Sequence, residues 1–347
     1  MRSSKRILIG LLAGGAFAMA GFGMAAQAAE HVDIGIGKSS SDAPWFLAQD
    51  LGFFKDEGLD VNLINLDSGA KIIAPLSKGQ LDVGSGALSV GFYNAIAQGI
   101  KLRIVADRGH ITKDTLYQTI FIRKDLIDSG AFKSLKDLKG KKIAFAAPGV
   151  TALSLLNETT KAAGLKFEDV TPVYISFPQQ FVALRNKAID GSFLVEPQAT
   201  QAVAGGFGVR FMNTQDVYPD EQVTVLFYSD KFAKERPAVA LKLMKAWQRT
   251  IRVYNDALKG GKLVGPGSDK IVDTIVKNFH MEPTLVRDMY APAVNPSGAL
   301  NVSSLQKDLS FFQERGWVPK TVSLKDVVDT SFAEKANAEL GPYQPKH

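Results

Sequence analysis

The stretch that decides the fold is Ser39-Ser40-Ser41-Asp42-Ala43-Pro44-Trp45-Phe46-Leu47-Ala48-Gln49-Asp50-Leu51-Gly52-Phe53-Phe54-Lys55-Asp56-Glu57-Gly58-Leu59-Asp60-Val61. It follows an alternating apolar run, Val32, Ile34 and Ile36, which predicts a strand. Three serines then make a polar loop, Pro44 fits the first turn of a helix, and Gly52 and Gly58 punctuate the chain before apolar alternation resumes at Leu59. The order is strand, hydroxyl-rich loop, helix start, strand. A helix start leaves backbone N–H groups unpaired and carries partial positive charge, which suits a small polar or anionic ligand. An ordinary helix capped by Ser41 or Asp42 explains the same residues, so the loop decides nothing until it recurs.

It does recur. Outward from this stretch the sequence predicts strands at 32–37, 59–66, 81–84 and 102–106 with helices at 43–54, 70–78 and 90–97 between them. A second half repeats the plan, with strands at 142–146, 173–176 and 192–195 and helices at 152–163 and 178–186. Leu76-Ser77-Lys78-Gly79-Gln80-Leu81-Asp82 and Leu184-Arg185-Asn186-Lys187-Ala188-Ile189-Asp190 end the corresponding helices in the same way. Strands alternating with helices imply mostly parallel sheets covered on both faces, here as two α/β lobes. Apolar runs at 117–123 and 223–228 fit either crossings between the lobes or interior strands. From Asp230 the pattern is helical, at 230–258, 270–279, 284–290 and 303–315, and these helices are expected on the first lobe.

A chain of 347 residues exceeds a single core, in agreement with two domains, and 46% hydrophobic with 22% charged residues describes a globular protein. Arg2, Lys5 and Arg6 precede an apolar run from Ile7 to Ala20 and an Ala26-Gln27-Ala28 cleavage pattern, so residues 1–28 are expected to be a signal peptide. Without those three cations, 38 basic residues face 35 acidic ones, and no basic block points to nucleic acid. The chain has no cysteine, which excludes disulfides, thiolate chemistry and a lipidated cysteine. An exported protein without a membrane anchor is expected, and a periplasm is the compartment that fits.

Tests for catalysis mostly fail. Gly35-Ile36-Gly37 and Gly84-Ser85-Gly86 lack the third glycine of a dinucleotide loop, and Gly260-Gly261-Lys262 lacks phosphate-loop spacing. Ala87-Leu88-Ser89-Val90-Gly91 approaches a hydrolase elbow, but its serine stands too far beyond the strand. His31, His110, His280 and His347 are scattered, so no metal and no cofactor is expected. What remains is a set of loops at the carboxyl ends of parallel strands, the ligand-binding edge of open α/β sheets. Their chemistry is that of holding a ligand.

The run from Trp45 to Val61, with Ser77 to Val83, Ile189-Asp190-Gly191 and Val195-Glu196-Pro197, resembles the nitrate/sulfonate/taurine-type substrate-binding proteins of ABC importers. The resemblance spans essentially the whole chain after the leader. It implies a two-lobed periplasmic binding fold of type II-like α/β architecture, with lobe 1 made of residues 29–118 and 226–347 and lobe 2 of 119–225. It further implies a monomer that closes over a small molecule and meets an ABC permease with its ATPase. Carried onto this sequence, it places Ser40, Ser41 and Trp45 in one wall with Ser85 and Gly86, and Gly149, Val150 and Thr151 opposite, with Phe177 and Glu196 nearby. Arg108 and His110, in a loop at 106–110, are the cations for an anion. Glu196 would repel a dianion, so a zwitterionic sulfonate or a thiamine-precursor pyrimidine is a candidate, as is an aromatic carboxylate stacked on Trp45 or Phe177. The cysteine-rich motif of the eukaryotic pyrimidine-synthesis relatives is absent. An exported enzyme with Glu196 or His110 as general base, and a sensor subunit, remain the alternatives.

Overall fold

A computed structural model of the protein describes residues 28–37, 39–66 and 69–346. The expected signal peptide lies outside the described residues but for Ala28.

Ten strands form two five-stranded sheets. The first contains β1 (Glu30–Ile36), β2 (Leu59–Asn65), β3 (Val83–Gly86), β4 (Leu102–His110) and, after the second sheet is complete, a returning strand. The second contains β5 (Gln118–Arg123), β6 (Lys142–Phe145), β7 (Thr171–Tyr174), β8 (Gly191–Val195) and β9 (Gly208–Asn213). The returning strand is β10 (Gln222–Ser229), and it enters the first sheet between β3 and β4. The strand orders β2-β1-β3-β10-β4 and β7-β6-β8-β5-β9 are one plan used twice. In each sheet the penultimate strand is antiparallel to both neighbours and the first three run parallel. The two apolar runs read as crossings or interior strands are therefore interior strands. The chain crosses beside them, at 111–117 and 214–221. The expected boundary at 225/226 falls inside β10, which pairs within the first sheet along its length.

The repeated heptapeptide has one structural job in both lobes. Gly79 and Lys187, at the same position of the motif, take φ of 68° and 60° and turn the chain out of the preceding helix. Three residues later Asp82 accepts the backbone N–H of Asp33 at 3.2 Å, and Asp190 accepts that of Lys142 at 2.9 Å. Each aspartate thus anchors the strand in the second place of its own sheet's order, β1 in one and β6 in the other. Gly84 shows why β3 reads weakly as a strand: a Cβ there would lie 2.0 Å from the Phe227 ring on β10, so the close approach of those strands requires glycine.

The predicted helix at 43–54 is broken into Ala43–Asp50 and Phe53–Asp56 by Gly52, at φ 74°. The long helical run divides at Pro237, which starts the helix Pro237–Ala257. Its buried face, with Trp247 and Ile251, packs with Ile34, Trp45 and Leu47 in the core of the first lobe. One expected placement fails. Helix Val302–Glu314 does not sit on the first lobe alone: Leu305, Leu309 and Phe312 share a cluster with Phe92 and Tyr93 of lobe 1 and Leu153 and Leu156 of lobe 2. Its apolar stripe has two neighbours, which periodicity alone does not distinguish. No helix among the described residues is long and apolar enough to cross a membrane.

Candidate functional site

The carboxyl ends of both sheets face one another across a pocket of about 750 Å³, part of it open to solvent. From lobe 1 the chain contributes Gly37 and Ser39 after β1, Ser85 to Ala87 at the end of β3, Arg108 on β4, and Val223 and Thr224 on β10. The first crossing adds Tyr117. From lobe 2 come Gln118 at the start of β5, Phe145 at the end of β6 and Ala146 after it, Val150 to Ala152 at the start of helix Ala152–Ala162, Phe177 at the start of helix Phe177–Arg185, and Phe193 and Val195 on β8.

Of the residues expected in the site, Ser85, Gly86, Arg108, Val150, Thr151 and Phe177 line this pocket. Arg108 does so from a strand, because β4 runs on to His110 where a loop was expected. β4 is held that far by β10, with register shifts that the sequence does not signal. The guanidinium is buried and paired with the equally buried Asp42. Asp42 also accepts the Ser39 N–H at 2.9 Å, so the acid that would cap an ordinary helix here holds the arginine. Arg108 Nε–H has no acceptor, and Thr224 Oγ1 on the neighbouring strand is likewise unpartnered.

Trp45 is not part of the wall. Its ring is fully buried against Trp247, with centroids 4.4 Å apart, and its Nε1–H donates to Ser85 Oγ at 2.8 Å. The indole therefore fixes the Ser85 hydroxyl from behind, and the Ser85 O–H remains free to donate into the pocket. Ser41 likewise stands behind the wall, accepting the Tyr117 hydroxyl at 3.1 Å and meeting Ser39 Oγ at 2.7 Å. Burial raises the Tyr117 pKa, against the opposing pull of Ser41 and Arg108, so the phenol stays neutral. Trp45 and Arg108 are packed so deeply that truncating either to alanine disturbs the fold as well as the site.

Ser40, Gly149 and Glu196 serve contacts between the lobes. Ser40 Oγ donates to the Glu196 carbonyl at 3.2 Å. Val90 N–H donates to the Gly149 carbonyl at 2.8 Å, and Ser89 and Val150 form a bridge. Gly149 has φ 68°, and a Cβ on it would meet Val90 Cβ at 2.9 Å, which explains the glycine by both conformation and proximity. The Glu196 carboxylate is buried outside the pocket. It accepts from Thr200 N–H and Oγ1, both at 3.0 Å, from Arg210, and from Tyr290 N–H at 3.2 Å. It is neither a ligand-repelling charge nor a free base. His110 also lies outside, bonded through Nδ1 to Asp107 Oδ2 at 2.8 Å. Burial opposes its charge, but the hydrogen bond and charge of Asp107 raise its pKa above the ordinary histidine value.

The residues that sequence reasoning did not assign to the site are Ser39, Ala87, Tyr117, Gln118, Phe145, Phe193, Val195, Val223 and Thr224, with small neighbours. Phe145 and Val195 end β6 and β8, and Phe193 stands two residues before the end of β8, so all three lie on strands the sequence predicts, just before the candidate loops or at the start of one. Thr224 carries no such signal. Among the described residues no group of three or more His, Cys, Asp or Glu side chains is arranged to hold a metal.

Comparison with known proteins adds a lineage to this geometry. A model of the NMT1-like family matches residues 25–259. A protein of Bacillus subtilis described as binding aliphatic sulfonates is 25% identical over 340 residues, covering 93% of this chain and 94% of that one. A 4-amino-5-hydroxymethyl-2-methylpyrimidine phosphate synthase of Aspergillus parasiticus is 28% identical over 131 residues, which is 38% of this chain and 35% of that one. Among solved structures, the periplasmic nitrate-binding protein NrtA from Synechocystis superposes with a TM-score of 0.74 at 16% identity, over 90% of this chain and 89% of that one. At that identity the likeness speaks to the fold, two lobes of mixed sheet flanked by helices.

Proposed function

Because the chain belongs to the NMT1-like family, we propose that it is the solute-binding component of an ABC importer, exported to the periplasm and closing two lobes over a small organic anion. The observation that carries this reading is the composition of the pocket. Its walls come from both sheets and offer hydroxyls, a guanidinium and aromatic rings, with no carboxylate and no histidine among the described lining residues. Such a set can hold a ligand but has no group suited to move protons at pH 7. That supports a binding protein over an enzyme, since both proposed bases, Glu196 and His110, are engaged elsewhere.

Closure follows from the same arrangement. A ligand touching both walls gains its full set of contacts only when the lobes meet, so binding shifts the population toward the closed form. Ser40 with Glu196, and Val90 with Gly149, are the contacts that the closed form makes. The crossings at 111–117 and 214–221 are the proposed hinges, and the closed monomer is what a permease and its ATPase would meet. A thermal-shift screen against sulfonates, carboxylates, nitrate and pyrimidines tests the reading. A ligand at a hundredfold excess over its Kd stabilises by about 2.7 kcal/mol. Turnover of the bound compound, in place of its recovery unchanged, would favour an enzyme.

A further inference from the structure

We infer that the ligand is an aromatic monoacid, a flat ring bearing one carboxylate or sulfonate, held with its acid group against lobe 1 and its ring against lobe 2. This inference rests on the solute-binding reading and narrows it. The pocket is polarised. Ser39, Ser85 and Thr224 supply hydroxyls and Arg108 the guanidinium from lobe 1, with Tyr117 at the crossing and Gln118 and Thr151 adding polar groups from lobe 2, whereas the aromatic and branched side chains Phe145, Phe177, Phe193, Val150 and Val195 make an apolar wall on lobe 2. Phe145 and Phe193 are stacked with centroids 5.4 Å apart, a rigid aromatic surface that another ring can meet face or edge on.

Charge restricts the head group. Among the described lining residues Arg108 carries the only formal charge, and Asp42 already balances it. A single anion can take the Arg108 Nε–H, the Ser85 O–H and the Thr224 hydroxyl, donors that otherwise have no acceptor. A second negative charge would find no further cation among the described lining residues. A zwitterion fares worse, because its ammonium would leave water with no carboxylate among the described lining residues to receive it. Glu196, which could have served, is sealed behind the wall by Thr200, Arg210 and Tyr290.

The lining restricts the body. An inorganic oxyanion would leave the wall of Phe145, Phe177 and Phe193 uncovered, whereas an organic ring covers it. Binding order follows as well: the acid docks on the polar lobe, and the second lobe closes its apolar face on the ring.

Titration calorimetry with benzoate, benzenesulfonate, cyclohexanecarboxylate, benzyl alcohol, methanesulfonate, taurine and nitrate tests this directly. Benzoate and benzenesulfonate should bind at least about tenfold more tightly than each of the other five compounds, the margin of one well-placed charge-assisted contact or one buried aromatic ring. Phe177→Leu, which keeps apolar volume but removes a ring, should weaken benzoate by about three- to tenfold, the stacking contribution expressed as affinity. Methanesulfonate, taurine or nitrate binding as tightly as benzoate overturns the inference and leaves the solute-binding reading standing. Cyclohexanecarboxylate matching benzoate overturns the aromatic assignment, and benzyl alcohol matching it overturns the acid. If none of the seven binds, the inference fails, and the wider thermal-shift screen decides separately whether the solute-binding reading stands.

Discussion

Asp308, on helix Val302–Glu314, is fully buried where the two lobes and the second crossing meet, and its titration should set the pH dependence of stability. Tyr218 donates to Oδ1 at 2.8 Å, while Oδ2 has no partner. The groups around it come from four elements: Tyr218 and Glu221 on the crossing, Tyr93 on helix Val90–Ala97, Ser154 and Glu158 on helix Ala152–Ala162, and Lys307 beside it, which pairs with Glu158 at 2.8 Å. Burial outweighs the help from Ser154, Tyr218 and Lys307 and raises the Asp308 pKa from 3.8 to about 7. Below pH 3.8 the acid is protonated in both states, and its contribution to stability is intact. Between there and about pH 7 the unfolded chain releases the proton and the folded one keeps it, so stability falls as pH rises and then levels off. The span corresponds to a loss on the order of 4 kcal/mol. Asp308→Asn abolishes this segment of the curve. Glu221, raised by burial and then by the Asp308 charge, and the raised His31 and His110 slope the same way. The readout is therefore the difference between the two proteins. Urea unfolding of the ligand-free forms at pH 4.5 and 7.5 should show the variant gaining on the parent by several kcal/mol as pH rises, at constant m-value. An equal difference at both pH values would refute the reasoning.

Three further outcomes follow from the packing. Trp45→Ala should destabilise the fold by about 3–5 kcal/mol through the cavity left beside Trp247, whereas Trp45→Phe should cost less and act mainly through the lost Ser85 hydrogen bond; chemical denaturation and ligand titration together separate the two effects. Arg108→Ala leaves Asp42 buried and unpaired and should cost about 3–5 kcal/mol in the same assay, much of it recovered when Asp42→Asn is added. Gly149→Ala places a side chain at φ 68° against Val90 and should weaken ligand binding by roughly five- to thirtyfold, the equivalent of about 1–2 kcal/mol, as read by calorimetry.

The two-lobed architecture was legible because its signals are local. Alternating strands and helices, and the heptapeptide ending in Asp82 and Asp190, each report on a short stretch of backbone. The antiparallel place of β5 and β10 was not legible, since pairing direction depends on which lobe each strand joins. The site divided along the same line. Ser85, Arg108, Thr151 and Phe177 stand near the ends of readable strands or at helix starts and do line the pocket. Trp45, Ser41 and Glu196 stand equally close in sequence but point to partners 40 to 156 residues away or across the cleft, such as Ser85, Tyr117 and Tyr290. A loop identified by its residues does not reveal which of its side chains face the ligand and which face the core behind it.

The central claim is that the lobes close on a ligand. X-ray scattering of residues 29–347, with and without the compound giving the largest thermal shift, tests it most directly. The account predicts a smaller radius of gyration on saturation, as an open population is drawn into the closed form. An unchanged radius, with calorimetry showing the site full, would contradict it.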